Sequence, residues 1–215
     1  MEKKKSDIMK IISSFPAEFL NLSIEEQKIS IELYKLLAAG KPVPIKMLAE
    51  SLGLPTEVID NVLNKWLGVY FDDDAQIIGY WGLTLTPTSH RLLIDSQKLY
   101  TWCAWDSLFI PEILGISALV ESACPITGEK ISFTVTEDGV KDINPSGAVI
   151  SLITPEESKL RENVLVNFCH YVHFFNSTES ANNWISERPE IFIISIEEAY
   201  YLGQKKNEVQ YKDAL

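Results

Sequence analysis

The hydrophobic repeat changes period near residue 69, and that change constrains the fold more than any other feature of this 215-residue chain. From 23 to 67 apolar residues recur at helical spacing. Beyond 69 short apolar runs alternate with turn residues, as strands do. The spacing predicts helices over 23–39, 44–51 and 55–67. Ser23 and Glu26 are placed to form a capping box, Ile29, Leu33, Leu36 and Leu37 form the apolar stripe, and Gly40 follows the end. Residues 69–86 then read as a hairpin around the acidic turn Asp72–Asp74. Three helices and a hairpin suggest a winged-helix-like N-terminal part over 1–86, with an α+β part over 87–215 whose sheet is mainly antiparallel.

In the second part, 92–94 and 99–102 read as strands about a tight Asp95–Ser96 turn. Residues 103–113 read as a helix that Pro111 kinks or ends. Strands are expected over 116–122, 130–136, 140–143 and 148–153, and a short helix over 155–163. The run 165–175 is strand-like. A helix over 178–187, a strand over 191–196 and a closing helix over 197–208 follow.

Charge excludes some partners. A formal net charge of −11 disfavours nucleic-acid and anionic-membrane binding, which depend on clustered Lys and Arg. The third helix, which would enter DNA in a winged helix, carries Glu57 and Asp60 against Lys65. The basic run at 3–5 reads as a solvated end. There is no apolar leader and no run long enough to span a bilayer, so a cytoplasmic location is expected. Three cysteines are too few for a disulfide scaffold, and in a reducing compartment they are expected as free thiols.

Each thiol has a packing explanation and a chemical one. Cys103 sits near a predicted helix start, where backbone N–H groups favour a thiolate. Asp106 lies three residues on, one turn up the same face, where it can accept a thiol proton. Cys169 lies in Asn167–Phe175 beside His170 and His173. If that run is a strand, Cys169, Tyr171 and His173 share one face while His170 takes the other, so a zinc site from this segment is disfavoured. Cys124 enters a Pro/Gly turn and reads as a small buried hydrophobe. Phosphate-binding loops, GxSxG, HExxH and CxxC are absent from the sequence.

Several segments together resemble the organomercurial lyase (alkylmercury lyase) family. They are IIGYWGLTLTPTSH (77–90), LYTWCAWDSLFIPEILG (99–115), CPITGEKISFTV (124–135), PSGAVISLITPEE (145–157), NFCHYVHFF (167–175) and EEAYYLGQ (197–204). The resemblance implies a winged-helix-like part before an α+β catalytic part. It also implies Cys103, Cys169 and Asp106 as catalytic and mercury-binding residues, and Cys124 as structural. Two positions depart from the family's habit. His170 stands where members often carry a second cysteine, and Trp105 stands where smaller aliphatic residues occur.

The implied substrate is R–Hg–X, a soft metal suited to thiolates, and no cofactor is expected. Tyr100, Trp102, Trp105 and Phe168 are candidate pocket walls. Cytosolic thiols and a mercuric reductase are the implied recipients of Hg(II). Two other readings compete: a thiol-based metal-sensing winged-helix regulator, and a mercury-binding protein without turnover.

Overall fold

A computed structural model describes residues 10–95 and 97–215. The basic run at 3–5 and Ser96 of the Asp95–Ser96 turn lie outside the described residues. The chain is mixed α+β, with N-terminal helices followed by antiparallel sheets and flanking helices.

Residues 10–13 are helical and lead into α1 (Ala17–Leu20), α2 (Ile24–Ala38), α3 (Ile45–Leu52) and α4 (Thr56–Leu63). Both halves of the Ser23/Glu26 capping box form: the Ser23 hydroxyl accepts the Glu26 N–H at 3.2 Å, and Glu26 accepts the Ser23 N–H at 2.8 Å. Ile29, Leu33, Tyr34 and Leu37 are fully buried along one stripe of α2.

The strands β1 (Val69–Phe71) and β2 (Ile77–Tyr80) pair as the predicted hairpin. They continue without a break into β3 (Leu83–Thr84), β4 (His90–Ile94) and β5 (Gln97–Thr101). With β6 (Ala118–Ala123), β7 (Lys130–Thr136) and β8 (Gly139–Asn144) they make an antiparallel eight-stranded sheet ordered β1-β2-β3-β5-β4-β6-β7-β8. A second sheet places β9 (Val149–Ile153) between β10 (Phe174–Phe175) and β11 (Ile191–Ser195), also antiparallel.

The helices α5 (Asp106–Leu114) and α9 (Ile196–Gln210) pack against each other. Gly203 lets them approach closely: a Cβ there would lie 2.7 Å from Phe109 Cβ. The shorter helices α6 (Glu157–Glu162), α7 (Val164–Asn167) and α8 (Thr178–Ile185) complete the chain.

Two local expectations are corrected. Pro111 does not end α5; the helix runs on to Leu114 and stops at Gly115, whose φ of +67° is left-handed. The run 165–175 is not a strand. It forms α7, a 3₁₀ turn over Cys169–Tyr171, and only then the two residues of β10. Asn163 caps α7, its side chain accepting the Val166 N–H at 3.1 Å. The buried residues Val164, Phe168 and Val172 fall four apart, a helical spacing that the apolar run conceals.

Candidate active site

Thr101 closes β5, and its hydroxyl donates to the Cys103 carbonyl at 2.9 Å. The chain then bends through Cys103 before α5 begins. Asp106, the first residue of α5, reaches back so that its Oδ2 accepts the Cys103 backbone N–H at 2.9 Å. This fixes the carboxyl beside the thiol. The second thiol arrives from the 3₁₀ turn. The Ala104 N–H donates to the Val172 carbonyl at 3.2 Å, which ties the two cysteine-bearing loops together. The Ser151 hydroxyl on β9 donates to the Tyr171 carbonyl at 2.8 Å and accepts the His173 N–H at 3.0 Å, anchoring that turn to the second sheet.

Cys103, Asp106 and Cys169 therefore converge. One ligand atom from each lies within 4.8 Å of the others, the one such group of three among the described residues. Both thiols are free. Cys103 is 0% exposed and Cys169 6%, so Cys169 is the outer of the pair.

The far side of the carboxyl is held by the Trp81–Gly82 turn. Tyr34 of α2 donates its hydroxyl to the Trp81 carbonyl at 2.7 Å. The Trp81 N–H donates to Gly68 O at 3.0 Å, and the Trp102 N–H to Gly82 O at 2.8 Å. A Cβ on Gly82 would fall 2.5 Å from Asp106 Cγ, and the residue's φ is +97°.

Cys169 and Trp102 stand between two spaces. On the outside is an open cleft of about 660 Å³, also lined by Ser89, His90, His170 and His173. On the inside is an enclosed chamber with room for about one water-sized sphere, some 10 Å³. Its walls are aromatic: Phe15 packs on Trp105 and Phe168 with ring centres 5.8 and 5.5 Å apart, and Phe19 stacks on Trp81 at 3.4 Å. Asp106 and Lys206 are its charged members.

Burial sets the proton affinities. It pushes the Cys103 thiol well up, and the hydrogen bond to Cys169 and the charge of Asp106 add to this. A helix-start thiolate, as expected for Cys103 from the sequence, is thus not what this environment favours: the residue sits ahead of the helix and is fully buried. Cys169 accepts a hydrogen bond from Cys103, which lowers its pKa, but burial and Asp106 outweigh this and leave it raised. Asp106 is raised to about 6 by burial, against hydrogen bonds from Cys103 that lower it. Lys206 is lowered to about 7 by burial, against the attraction of Asp106 and Glu112.

The family model for alkylmercury lyase matches residues 83–207, a span that contains all three converging residues. The chain belongs to the alkylmercury lyase family. It is 38% identical over 201 residues to an alkylmercury lyase of Staphylococcus epidermidis, covering 91% of each chain. It is 37% identical over 172 residues to one from Bacillus cereus, covering 80% of this chain and 77% of that one. A solved structure described as the mercury-bound form of MerB2 superposes with a TM-score of 0.73 at 22% identity, covering 98% of this chain and 100% of that one. This last likeness is one of fold.

The other expected residues are placed as follows. Trp102, Trp105 and Phe168 line the inner chamber of this alkylmercury lyase family member. Tyr100 does not: Leu99 and Thr101 point into the core from β5, so alternation turns Tyr100 to the opposite face of the sheet. Cys124 lies away from the pair, buried at the end of β6. Its N–H donates to Glu129 O at 2.9 Å, and its carbonyl accepts the Gly128 N–H at 2.8 Å. Burial raises its thiol, but hydrogen bonds led by that from Thr127 prevail and lower it. Sequence reasoning missed Gly82, Phe15, Phe19 and Lys206. The signal for Lys206 was present: with Ala199, Gly203, Asn207 and Gln210 it falls on the buried stripe of α9, where a lysine is out of place.

No helix of the described residues is long and apolar enough to cross a membrane.

Proposed function

We propose that this alkylmercury lyase splits R–Hg–X by using Cys169 as the first thiolate, Cys103 as the second, and Asp106 as the proton carrier. The observation that carries this reading is the convergence of two buried thiols and one carboxyl within 4.8 Å, with Cys169 and Asp106 lining a largely apolar chamber.

The outer thiol meets the substrate first. Cys169 borders both cleft and chamber, and the hydrogen bond it accepts from Cys103 makes it the easier of the two to ionise. Its sulfur displaces X, and its proton leaves with X as HX. The Cys103 thiol then gives its proton to the Asp106 carboxylate, and the new thiolate bonds to mercury. Two thiolates push electron density toward the carbon, because the soft metal shares charge readily with sulfur. The C–Hg electron pair takes the proton from the Asp106 carboxylic acid. R–H departs, Hg(II) stays on the two sulfurs, and Asp106 is again a carboxylate. A carboxyl poised at about 6 suits both halves of this exchange. The aromatic walls of the chamber limit the water that could compete with the carbon for that proton.

The N-terminal part, 1–86, is read as a winged-helix-like module that roofs the chamber. It supplies Phe15, Phe19 and Trp81 as walls and, through Tyr34 and Gly82, the seat of Asp106. Its helix α4 carries Glu57 and Asp60 and is acidic, so packing rather than DNA binding is its role. Residues 87–215 hold the reacting groups. Release of Hg(II) is assigned to small thiols of the cytoplasm entering by the open cleft, and to the cysteines of a mercuric reductase.

The test is incubation with methylmercury and excess thiol, with detection of methane in the headspace. Methane released over many turnovers is expected. Stoichiometric capture of intact methylmercury without methane would leave the reading of a mercury-binding protein without turnover.

A further inference from the structure

The mechanism above leaves one group of the chamber unused. Lys206 is 0% exposed, and its ammonium lies 3.9 Å from the ring centre of Phe109, with the rings of Phe19 and Tyr211 at 5.4 and 5.6 Å. Its one hydrogen bond among the described residues goes to Asn207 Oδ1 at 3.0 Å. Asn207 is itself fixed, donating to Phe109 O at 3.0 Å and to Glu112 Oε2 at 2.7 Å. Gly203, one turn earlier, brings α9 so close to α5 that the lysine has no route to water. A buried ion with so few polar partners is costly, and it persists only where opposite charge is near. That charge comes from Asp106 and Glu112, both on α5, and Asp106 faces the same chamber.

We propose that Lys206, in its ammonium form, is the counter-charge of the reaction chamber, a positioning residue that offsets the negative charge as it moves from Asp106 to the mercury complex and back. The inference rests on the lyase reading above. Before substrate binds, Asp106 is a carboxylate and both cysteines are thiols, so carboxylate and ammonium sum to zero. After HX leaves, mercury bears R and one thiolate and is neutral, and the sum is unchanged. When Cys103 passes its proton to Asp106, the charge moves from the carboxyl to the complex of mercury with R and two thiolates, which is an anion. The ammonium then balances that anion. Once carbon takes the proton, the Hg(II) bis-thiolate is neutral and Asp106 is again the anion. Charge shifts between oxygen and sulfur, and while Lys206 keeps its proton the ammonium balances the reacting set wherever that charge lies. Without Lys206 the chamber would carry one uncompensated charge in apolar surroundings, where Coulombic terms are large. The aromatic faces add a favourable contact for a cation of fixed position.

The experiment compares the full-length wild type with Lys206→Met and Lys206→Arg, using methylmercury with excess cysteine. Methionine nearly conserves shape in this aromatic setting, so the unfolding temperature of Lys206→Met is expected to equal or exceed that of the wild type. Its kcat for methane should fall at least tenfold while its KM for methylmercury changes less than about threefold, because the cation acts on charge that moves during the reaction and not on binding. Capture of one Hg(II) per chain should persist. Lys206→Arg should recover most of the rate. Should Lys206→Met not fold, Lys206→Gln is read by the same kcat and KM. A methionine variant with wild-type kcat overturns the counter-charge while the lyase reading stands. A fall in kcat matched by a fall in unfolding temperature, with no recovery in Lys206→Arg, overturns it as well. Absence of methane from the wild type overturns both.

Discussion

Replacing Gly82 by alanine tests whether the backbone grips the carboxyl of Asp106, the proposed proton carrier. The added methyl would lie 2.5 Å from Asp106 Cγ, 2.6 Å from Oδ1 and 2.7 Å from Cβ, whereas ordinary contact begins near 3.4 Å. The shortfall against Oδ1 is 3.4 − 2.6, about 0.8 Å. The φ of +97° adds strain of about 1–2 kcal/mol for a residue with a side chain. Overpacking in a filled core adds about 1–3 kcal/mol. Three hydrogen bonds, from Tyr34, from the Trp102 N–H and from the Trp81 N–H to Gly68, hold the turn, so the carboxyl is the part that must move. Moving it by nearly an ångström breaks the 2.9 Å hydrogen bond to Cys103 and turns the acid away from the carbon, and a misplacement of this size costs on the order of 10²-fold in rate. Gly82→Ala should therefore lose about 2–5 kcal/mol in urea unfolding, lose about two orders of magnitude in methane release, and still capture Hg(II). A variant that is destabilised as calculated yet releases methane at the wild-type rate would refute the assignment of Asp106 as proton carrier.

Other perturbations separate the roles proposed for Cys103, Cys169 and Asp106. Asp106→Asn should retain mercury capture while methane release falls by a factor of about 10²–10⁴, the usual contribution of a positioned acid, as headspace analysis will register. In the wild type kcat should fall below a pH of about 6, because the carboxyl must be ionised to accept the Cys103 proton; a flat profile between pH 5 and 7 would count against it. Cys103→Ala should stall with R–Hg on Cys169, whereas Cys169→Ala should form no such adduct on first exposure; intact-mass spectrometry distinguishes the two. Cys124→Ala should cost ~1–3 kcal/mol of stability and leave kcat unchanged. His90 is buried, and burial holds it down to about 3 from 6.5. A base with a depressed folded pKa stabilises the fold above its unfolded pKa and loses that contribution as pH falls from 6.5 toward 3, here by up to ~5 kcal/mol. Denaturant melts of His90→Gln should show a smaller acid-induced loss than the wild type over that window.

The readable parts of the sequence are those where local chemistry and tertiary environment agree. Ser23 and Glu26 cap a helix whose apolar stripe is complete, so its start and buried face follow directly. Acidic turn residues between two apolar runs announce the β1–β2 hairpin. The 167–175 segment is the counter-case. Phe, Cys, Tyr, Val and Phe suit a strand equally well, and periodicity alone cannot separate a short apolar strand from a helix. What decides is contact at a distance: Ser151 and Ala104 hold the main chain of this segment in a turn. That turn, not strand alternation, aims Cys169 at Cys103.

The electrostatics of the site were hidden for a related reason. From Cys-x-x-Asp one can infer that a carboxyl stands one turn from a thiol, but not that both are dry. Dryness comes from rings far away in sequence: Phe15 and Phe19 from the N-terminal segment, Trp81 from a sheet turn, and Phe109 and Phe168 from two other segments. Removal of water turns an ordinary aspartate into one that exchanges protons near pH 6. It also makes the ammonium of Lys206, 97 residues beyond Phe109 in sequence but 3.9 Å from its ring, a term that the reaction has to accommodate. Sequence motifs supply the thiols and carboxyl proposed to react in this enzyme, whereas the field around them is assembled largely by side chains far away in sequence.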